Sequence, residues 1–207
     1  MNLEEYIESH IDAEPEHLHA LYRRTHLTRL YPRMCSGHVQ GRLLTMLAKM
    51  ISPHRVLELG TFTGYSALCL AEGMPDDGVL HTVEIDDESE DELTELFASA
   101  PGGHKIRLHI GDATELIPSL GDGWDLVFID ANKRSYSDYY RLVLPRVKSG
   151  GYIIADNTLW DGKVVAESHD AQTSGILAFN DLVAADPTAE KVILPIRDGM
   201  TIIRKKY

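Results

Sequence analysis

Apolar positions recur with two different spacings along the chain. In the first fifty residues the spacing is three or four positions, as on one face of an α-helix. This spacing is found at Leu3, Tyr6, Ile7 and Ile11, then at Leu18, Leu21 and Tyr22, and then at Val39, Leu43, Leu47 and Met50. The N-terminal segment, about residues 1–52, is therefore predicted to be helical.

Beyond Pro53 the apolar residues gather into short runs, which cover residues 55–59, 79–83, 106–110, 125–129 and 152–155. Segments with helical spacing lie between them, at 65–74, 91–100, 113–120 and 136–147. Strands that alternate with helices in this way build right-handed βαβ units. The middle of the chain is therefore predicted to be a doubly wound α/β domain, with a mostly parallel sheet and helices on both faces.

Two further apolar runs, 191–196 and 200–203, flank Asp198 and Gly199. An Asp-Gly pair between such runs indicates a β-hairpin, so a C-terminal antiparallel hairpin is predicted to close one edge of a seven-stranded sheet. The polar segment 161–174 shows neither spacing and is predicted to be a long loop, a candidate lid. Residues 1–207 are predicted to form a single domain.

Composition narrows the classes of function. The chain has 207 residues, of which 43% are hydrophobic, an ordinary value for a water-soluble globular domain. Its 20 Lys and Arg residues are outnumbered by 32 Asp and Glu residues, giving a net charge of -12. Because binding to a phosphate backbone depends on basic surfaces, nucleic acid is not expected as a partner.

No apolar run approaches the ~20 residues that span a bilayer, and the first ten residues are acidic, where a signal peptide is basic and then apolar. We therefore expect a cytoplasmic protein with no membrane partner. The two cysteines, Cys35 and Cys69, lie far apart and outside any CxxC pair, so they are predicted to be buried thiols.

A glycine-bearing turn follows the first predicted strand, in the segment Glu58-Leu59-Gly60-Thr61-Phe62-Thr63-Gly64-Tyr65-Ser66. Glycines there let a ligand approach the backbone, and the next helix offers free N–H groups. The GxxxG spacing differs from the GxGxxG of dinucleotide folds and lacks the ending of a P-loop. The turn is therefore interpreted as a cofactor loop, with a plain strand-to-helix connection as the alternative.

Glu84 ends the second predicted strand. A carboxylate at that position can accept hydrogen bonds from both hydroxyls of a ribose, as the acidic residue about twenty residues beyond the glycine loop does in dinucleotide folds. The alternative is a solvated acid at the start of an acidic run, residues 84–88. After the third strand, Asp112 can cap the next helix, a role compatible with a contact to adenine.

Polar side chains also follow the fourth and fifth predicted strands, with Asp130 and Lys133 after one and Asp156 and Asn157 after the other. The carboxyl ends of neighbouring parallel strands meet at one crevice, where ligands of open α/β sheets bind. Two carboxylates and an amide oxygen suit magnesium, calcium or manganese. Asp and Asn are also common turn formers, which is the alternative for either pair alone.

These residues resemble the class I, metal-dependent O-methyltransferases of the catechol and caffeoyl-coenzyme A type. The resemblance runs through nearly the whole chain, in the segments 56–66, 128–133, 156–160, 162–164 and 194–199. Ala131 and Asn132, between the aspartate and the lysine, are closer to the bacterial and plant branch than to the animal catechol enzymes. The resemblance implies a Rossmann-like methyltransferase fold with S-adenosylmethionine as the cofactor.

The resemblance also implies residue roles. The cofactor-binding set would be Ser36, Glu58, Gly60, Ser66, Glu84, Asp112, Ala113 and Asp130. The metal ligands would be Asp130, Asp156 and Asn157, and Lys133 would be the catalytic base beside Asp130. Met34, His38 and Trp160 would contact the substrate.

The expected reaction is methyl transfer from S-adenosylmethionine to a hydroxyl of a small catechol-like aromatic, assisted by a divalent cation, magnesium or alternatively manganese or calcium. The helical N-terminal segment would act as a lid and dimerisation element, since it carries more apolar residues than a lid requires, and a homodimer is expected. A nicotinamide-dependent oxidoreductase on a related fold is the main alternative. A non-catalytic binding module that keeps the fold is a third.

Overall fold

Three helices form the N-terminal segment, as predicted. The structure, a computed structural model, describes residues 1–207 except for the side chain of Glu4. Helix α1 (Leu3–Glu8) begins with a capping box, in which the Asn2 side chain accepts a hydrogen bond from the Glu5 N–H at 2.8 Å. Helices α2 (Glu16–Thr28) and α3 (Gly37–Ile51) follow, and α3 buries Leu44 and Ala48.

Seven strands form one mixed sheet, which confirms the predicted fold class. The strands are β1 (Arg55–Leu59), β2 (Val79–Glu84), β3 (Ile106–Ile110), β4 (Trp124–Ile129), β5 (Val147–Asp156), β6 (Ala189–Leu194) and β7 (Met200–Lys205). Their order across the sheet is β3-β2-β1-β4-β5-β7-β6. The first five run parallel, and β7 is antiparallel to both β5 and β6. The predicted C-terminal hairpin is confirmed.

Helices cover both faces of the sheet, because alternate side chains of each buried strand point to opposite faces. The helices after β1 are α4 (Tyr65–Gly73), α5 (Glu90–Ser99), α6 (Ala113–Leu116), α7 (Tyr136–Val143) and α8 (Ala171–Ala185). On one face, Val56 and Leu126 pack in a core with residues of α3, α4 and α5. On the other, Leu57 and Val127 pack with residues of α7 and α8.

Two predicted helices are shorter than expected, and a proline explains each end. The helix predicted over 113–120 ends at Leu116 and continues as a 3₁₀ turn that contains Pro118. The helix predicted over 136–147 ends at Val143 and gives way to a 3₁₀ turn that contains Pro145. Proline has no N–H to continue the α-helical hydrogen bonds. β5 then begins at Val147, five residues before the predicted start of that strand.

The prediction of a long loop over 161–174 is wrong for its last four residues, which begin a helix. Residues 160–165 form 3₁₀ turns, and α8 begins at Ala171 and runs beyond the segment. Asp170 starts this helix by accepting hydrogen bonds from the Thr173 N–H at 2.7 Å and the Thr173 hydroxyl at 2.8 Å. The apolar residues of α8 follow the polar segment, and this helix was not predicted from the sequence.

Both cysteines are buried free thiols, as predicted, and burial raises the pKa of Cys35 to about 11. Across the described chain, no helix combines the length and the apolar character needed to cross a bilayer. The order of strands reverses between β1 and β4, where an open α/β sheet leaves a crevice at its carboxyl edge.

Candidate active site

The strand ends at this crevice open into one cavity of about 760 Å³. Its wall brings together most of the predicted site residues, namely Met34, Ser36, Gly60, Ser66, Glu84, Ala113, Asp130, Lys133, Asp156, Asn157 and Trp160. We define two parts of this wall. The cofactor half comprises Gly60, Ser66, Glu84 and Ala113, and the acceptor half comprises Asp130, Lys133, Asp156, Asn157 and Trp160.

Gly60 brings the two halves into contact. It has a φ of 96°, and a Cβ at this position would lie 2.1 Å from the carbonyl oxygen of Asp130. Only glycine allows both the left-handed backbone and this close approach. The Gly60 N–H donates to the Val83 carbonyl at 3.0 Å, and the Asp130 N–H donates to the Leu59 carbonyl at 2.8 Å. The tips of β1, β2 and β4 are therefore held together by backbone contacts.

Glu84 is held by backbone groups on both sides. One carboxylate oxygen accepts from the Phe62 N–H at 2.7 Å, and the other accepts from the Ile85 and Asp86 N–H groups at 2.9 and 3.0 Å. The side chain is 9% exposed, and its exposed part faces the cavity. Glu84 is thus a fixed carboxylate at the end of β2 and not a freely solvated acid.

Glu58 lies beneath the cofactor half and is not part of the described cavity wall. Its carboxyl is fully buried, and burial raises its pKa to about 8, against the hydroxyls of Thr82 and Ser66, which lower it. Thr82 donates to Oε2 of Glu58 at 2.6 Å, while Oε1 has no hydrogen-bond partner among the described residues. Burial therefore favours the neutral form of Glu58, a structural carboxyl under the glycine turn.

Asp112 caps α6, the structural role considered from the sequence. Its side chain accepts from the Thr114 N–H at 2.7 Å and from the Thr114 hydroxyl at 2.6 Å, and these bonds hold its pKa below the ordinary value. The cavity wall includes its neighbours Gly111 and Ala113. The turn after β3 therefore contacts the cavity beside Asp112.

Lys133 lies at the centre of the acceptor half. Its ammonium group donates to Oδ1 of Asp130 at 2.7 Å and to the hydroxyl oxygen of Tyr136 at 2.7 Å. The Tyr136 hydroxyl in turn lies 3.1 Å from the carbonyl oxygen of Asp156, which ends β5. Lys133 is 8% exposed, so it is not a solvated surface lysine, the alternative that its loop position left open. Tyr136 positions its ammonium group between the tips of β4 and β5.

Asp156 is a buried carboxylate at the end of β5, only 2% exposed. Oδ1 accepts from the Asn157 N–H at 2.9 Å, and Oδ2 accepts from the Gln40 side chain at 2.6 Å. Burial, and secondarily the negative charge of Asp130, raise its pKa to about 6, while Gln40 and Lys133 lower it. Two carboxylates close enough to repel each other define a place that favours positive charge.

Asn157 completes this oxygen set. Its φ of 56° lies in the left-handed region, which asparagine tolerates better than most residues, and it turns the chain at the end of β5. No described residue forms a hydrogen bond with its side-chain amide. No cluster of three or more His, Cys, Asp and Glu side chains able to hold a metal is found among the described residues. A cation here would therefore rest on two carboxylates and one amide, an oxygen set that fits magnesium, manganese or calcium.

Residues 30–36 form the roof of the cavity. Leu30, Tyr31 and Met34 belong to the wall although they are also exposed to solvent, and Ser36 is buried beside them. His38 is not part of this wall; its Nε2 lies 2.8 Å from the carbonyl oxygen of Asp12. It lines a second, more polar cavity of about 790 Å³. The structure therefore does not place His38 with the other predicted substrate contacts.

Trp160 and α8 form the far wall of the acceptor half. The Trp160 ring lies 6.0 Å from the ammonium group of Lys133, and Gln172 of α8 belongs to the same wall. α8 reaches the Lys133 turn through Gly175, where a Cβ would lie 2.5 Å from the Lys133 carbonyl oxygen. A helix that the sequence analysis did not assign thus supports the turn that carries Lys133.

The wall and supporting residues that were missed from the sequence include Gln40, Tyr136, Gln172 and Arg197. Gln40 reaches Asp156 across 116 residues of sequence, and Arg197 reaches Gln40 across 157. No local spacing signals such contacts. The contact between Lys133 and Tyr136 could have been predicted, since Tyr136 lies only three residues after Lys133, at the start of α7.

The fold and this cavity define a Rossmann-like methyltransferase, with β7 inserted between β5 and β6 and the polar strand ends gathered at the switch point. A family model described as O-methyltransferase matches residues 8–206. The chain belongs to this O-methyltransferase family. The prediction of an S-adenosylmethionine-dependent O-methyltransferase is confirmed, and the nicotinamide-dependent alternative is not supported.

Named relatives are of the caffeoyl-coenzyme A type. The chain is 33% identical over 205 residues to caffeoyl-CoA O-methyltransferase 5 of Nicotiana tabacum, covering 93% of this chain and 85% of that protein. It is 36% identical over 186 residues to caffeoyl-CoA O-methyltransferase of Petroselinum crispum, covering 83% and 77%. A solved structure, the O-methyltransferase TomG from Streptomyces achromogenes in complex with SAM, superposes with a TM-score of 0.88 at 29% identity, covering 98% and 95%.

Proposed function

We propose that the protein transfers the methyl group of S-adenosylmethionine to one hydroxyl of a small aromatic vicinal diol, a catechol-like acceptor, with the help of a divalent cation. The carrying observation is that a single cavity joins a fixed carboxylate, Glu84, to the oxygen set of Asp130, Asp156 and Asn157. Its two halves match the two substrates of a methyl transfer. Magnesium is the expected cation, with manganese or calcium as alternatives.

In the proposal, the cofactor half binds S-adenosylmethionine. Glu84 accepts hydrogen bonds from the two ribose hydroxyls, and its three backbone donors hold the carboxylate in place for them. Gly60 leaves room for the cofactor beside the β1 tip, and Ser66 with the backbone near Ser36 binds the methionine carboxylate. Ala113 contacts the adenine edge.

Asp130, Asp156 and Asn157 would hold the cation in the acceptor half. A divalent cation supplies Lewis acidity, which lowers the pKa of a hydroxyl that it contacts and fixes the orientation of a diol. Trp160 and the roof residue Met34 would bind the aromatic ring, since both contribute apolar surface to the wall. The assignment of His38 to the substrate has no such support.

Lys133 is the proposed general base. The acceptor oxygen attacks the sulfonium methyl carbon, the carbon–sulfur bond breaks with its electron pair remaining on sulfur, and the hydroxyl proton passes to Nζ of Lys133. Lys133 must be in its neutral form to accept this proton. Hydrogen bonds to Asp130 and Tyr136 fix the position of Nζ at the cavity wall, so the base is already in place.

Removal of the cation tests this proposal directly. Chelator should abolish methylation of a catechol, and magnesium or manganese should restore it, with product measured by transfer of a labelled methyl group. Asp156→Ala should stay inactive at ordinary metal concentrations, whereas Asp138→Ala, at an exposed acid on α7, should behave as wild type. Full activity in excess chelator would rule the mechanism out.

We also propose a cytoplasmic homodimer in which α1–α3 form the interface and residues 30–36 the lid. The exposed apolar residues Leu3, Leu27, Met46 and Met50 on these helices support an interface. Light scattering should give about twice the chain mass of 23.1 kDa. Met50→Glu should reduce that mass to one chain, while Val192→Glu on the edge strand β6 should not. A wild-type mass of one chain at micromolar concentration would contradict the dimer.

A further inference from the structure

Gln40 connects the acceptor half to the turn between β6 and β7. It lies on α3, is 1% exposed, and donates from Nε2 to Oδ2 of Asp156 at 2.6 Å. Its Oε1 accepts a hydrogen bond from Nη1 of Arg197. Both ends of this buried amide are therefore engaged.

The chemistry of the two neighbours fixes which way the amide points. A guanidinium group has only donors, and an ionised carboxylate has only acceptors. Oε1 of Gln40 must therefore face Arg197, and Nε2 must face Asp156. If the amide were reversed, two donors would meet at Arg197 and two acceptors at Asp156, which is costly in a buried place.

Arg197 also holds the roof of the cavity. Nη1 donates to the Ser36 carbonyl at 2.6 Å, and Nη2 donates to the Arg33 carbonyl at 3.1 Å. Arg33 and Ser36 both belong to the cavity wall. One guanidinium group thus contacts the residues over the cavity and the amide that bonds to Asp156.

We propose that Gln40 is a positioning residue for Asp156, that Arg197 fixes the orientation of Gln40, and that the pair couples cation binding to the order of residues 33–36. This inference rests on the cation site of the proposed function. With Oδ1 bonded to the Asn157 N–H and Oδ2 bonded to Gln40, the carboxylate cannot rotate freely, and each oxygen keeps a lone pair. Hydrogen-bond partners of this kind hold ligands in their binding orientation.

The coupling has a required symmetry. If the contact between Arg197 and the roof stabilises the orientation of Gln40 that a bound cation needs, the cation must stabilise the roof to the same extent. Cation binding should then protect residues 33–36 from protease. Trypsin can report this, because Arg29 and Arg33 lie beside or within the roof.

The experiment measures Mn²⁺ affinity by electron paramagnetic resonance on the full-length protein without acceptor or cofactor. Gln40→Leu should weaken binding at least about ten-fold, the usual effect of losing a partner of a metal ligand. Arg197→Gln should weaken it less, and the double variant should match Gln40→Leu alone because both act through one amide. In wild type, Mn²⁺ should slow cleavage after Arg29 and Arg33, and in Gln40→Leu it should not.

Thr45→Val is the matched control. Thr45 is also buried on α3, where its hydroxyl donates to the Cys69 carbonyl at 2.9 Å, away from the cavity. It should lower thermal stability without changing Mn²⁺ affinity or the protection by Mn²⁺. If Gln40→Leu does not fold, Arg197→Gln at an exposed residue carries the same test through both readouts.

Two failures can be told apart. If Asp156→Ala binds Mn²⁺ as tightly as wild type does, the cation site of the proposed function is overturned, and the positioning role with it. Mn²⁺ binding that depends on Asp156 but is unchanged in Gln40→Leu would overturn the positioning role alone. Additive losses in the double variant would show that Gln40 and Arg197 act separately, which contradicts the coupling.

Discussion

The cofactor half and the acceptor half of the cavity are built in different ways. In the cofactor half, Glu84 is held by backbone groups of its own turn and of the neighbouring glycine turn. In the acceptor half, Asp156 is held by Gln40, and Lys133 is supported by α8 through Gly175. The first half is held by local backbone donors, and the second adds to its local contacts others that come from distant parts of the chain.

This difference predicts how the halves respond to substitution. Changes in the cofactor half should alter cofactor affinity and leave the chemistry of the bound complex intact. Changes in the acceptor half should leave cofactor affinity intact and lower kcat. Substitutions in the cavity wall and its support are therefore compared by two measurements, the S-adenosylmethionine Kd by calorimetry and kcat with a catechol acceptor.

The largest effect is expected for Lys133→Ala. Loss of a positioned general base should lower kcat by about 10²–10⁴ while the affinities for cofactor and cation stay nearly unchanged. Raising the pH should partly restore activity, because hydroxide then removes the acceptor proton. The measurement is kcat from pH 6 to 9 under conditions where methyl transfer limits the rate.

Lys163→Ala is the matched control for Lys133. Lys163 is an exposed lysine, and its ammonium group lies 5.9 Å from the Trp160 ring, about as far as that of Lys133 does. It should retain wild-type kcat. A Lys133→Ala variant with wild-type kcat at neutral pH would remove the base from the acceptor half.

Glu84→Ala should give the next largest effect, and on the other half. Charge-assisted hydrogen bonds of a carboxylate contribute roughly 1.5–3 kcal/mol each, so loss of one or more should weaken S-adenosylmethionine binding by about 10–10² fold. kcat at saturating cofactor should change far less. Glu88→Ala in the same acidic run is the control, since its side chain is exposed. Unchanged affinity in a folded Glu84→Ala variant would show that the ribose assignment is wrong.

Gly175→Ala should produce a smaller loss, confined to the acceptor half. The added Cβ would lie 2.5 Å from the Lys133 carbonyl oxygen and 2.7 Å from Cα of Arg134, so the turn or α8 must shift. Displacement of a catalytic group by a fraction of an ångström should lower kcat by about ten-fold. Ala178→Ser on the exposed side of α8 is the control. A parallel loss of cofactor affinity would contradict the separation of the two halves.

The smallest effect concerns the free energy of unfolding and involves two histidines on β2 and β3. His81 on β2 stacks on His109 of β3, and burial followed by the positive charge of His109 lowers the pKa of His81 to about 4. The unfolded chain, with a histidine pKa near 6.5, then binds more protons between pH 6.5 and 4, so stability falls as the pH falls through this range. Because His81 is only half-buried, the loss should be roughly 1–2 kcal/mol.

Urea unfolding at pH 7 and pH 5 measures this effect. The stability difference between wild type and His81→Gln isolates it, because the opposite contribution of Glu58, whose raised pKa favours the folded state at lower pH, is common to both chains. His104→Gln, at an exposed histidine, is the control. If the free energy of unfolding changes by the same amount between pH 7 and pH 5 in wild type and in His81→Gln, the contribution of His81 is contradicted.

The same contrast explains what the sequence could predict. The strands and most helices follow from spacing, because a buried strand and an amphipathic helix each have a pattern visible in a short window, and the hairpin follows from the Asp-Gly pair between two apolar runs. The glycine turn and Glu84 were found for the same reason. α8 was not assigned, since the polar segment before it hid the cap at Asp170 and its apolar residues were left out of any periodic segment.

In the acceptor half, the strand ends indicated a cation site, but the role of Lys133 as catalytic base was predicted only from the family resemblance. Gln40 had no signal in the sequence, and Arg197 was noted only as part of the segment 194–199 that carries the family resemblance, without a role. Their contacts join segments whose proximity is created by the fold, and a single sequence holds no trace of a contact across 116 or 157 residues. Assignments of individual roles in this half therefore remain predictions for the experiments above.

The insertion of β7 between β5 and β6 has a consequence for the growing chain on the ribosome. Asp156 pairs with Met200 of β7, and Arg197 in the preceding turn is needed at Gln40, so these partners emerge only after the glycine turn, Glu84 and Asp130 have left the exit tunnel. Long-range pairings form late when their partners are synthesised late. At that stage the β5 tip already pairs with β4 but still lacks its β7 neighbour, and the backbone at Arg33 and Ser36 still lacks the guanidinium group that contacts it. Synthesis itself imposes an order in which the strand ends that carry Glu84 and Asp130 are made before the contacts that hold Asp156 and the residues over the cavity.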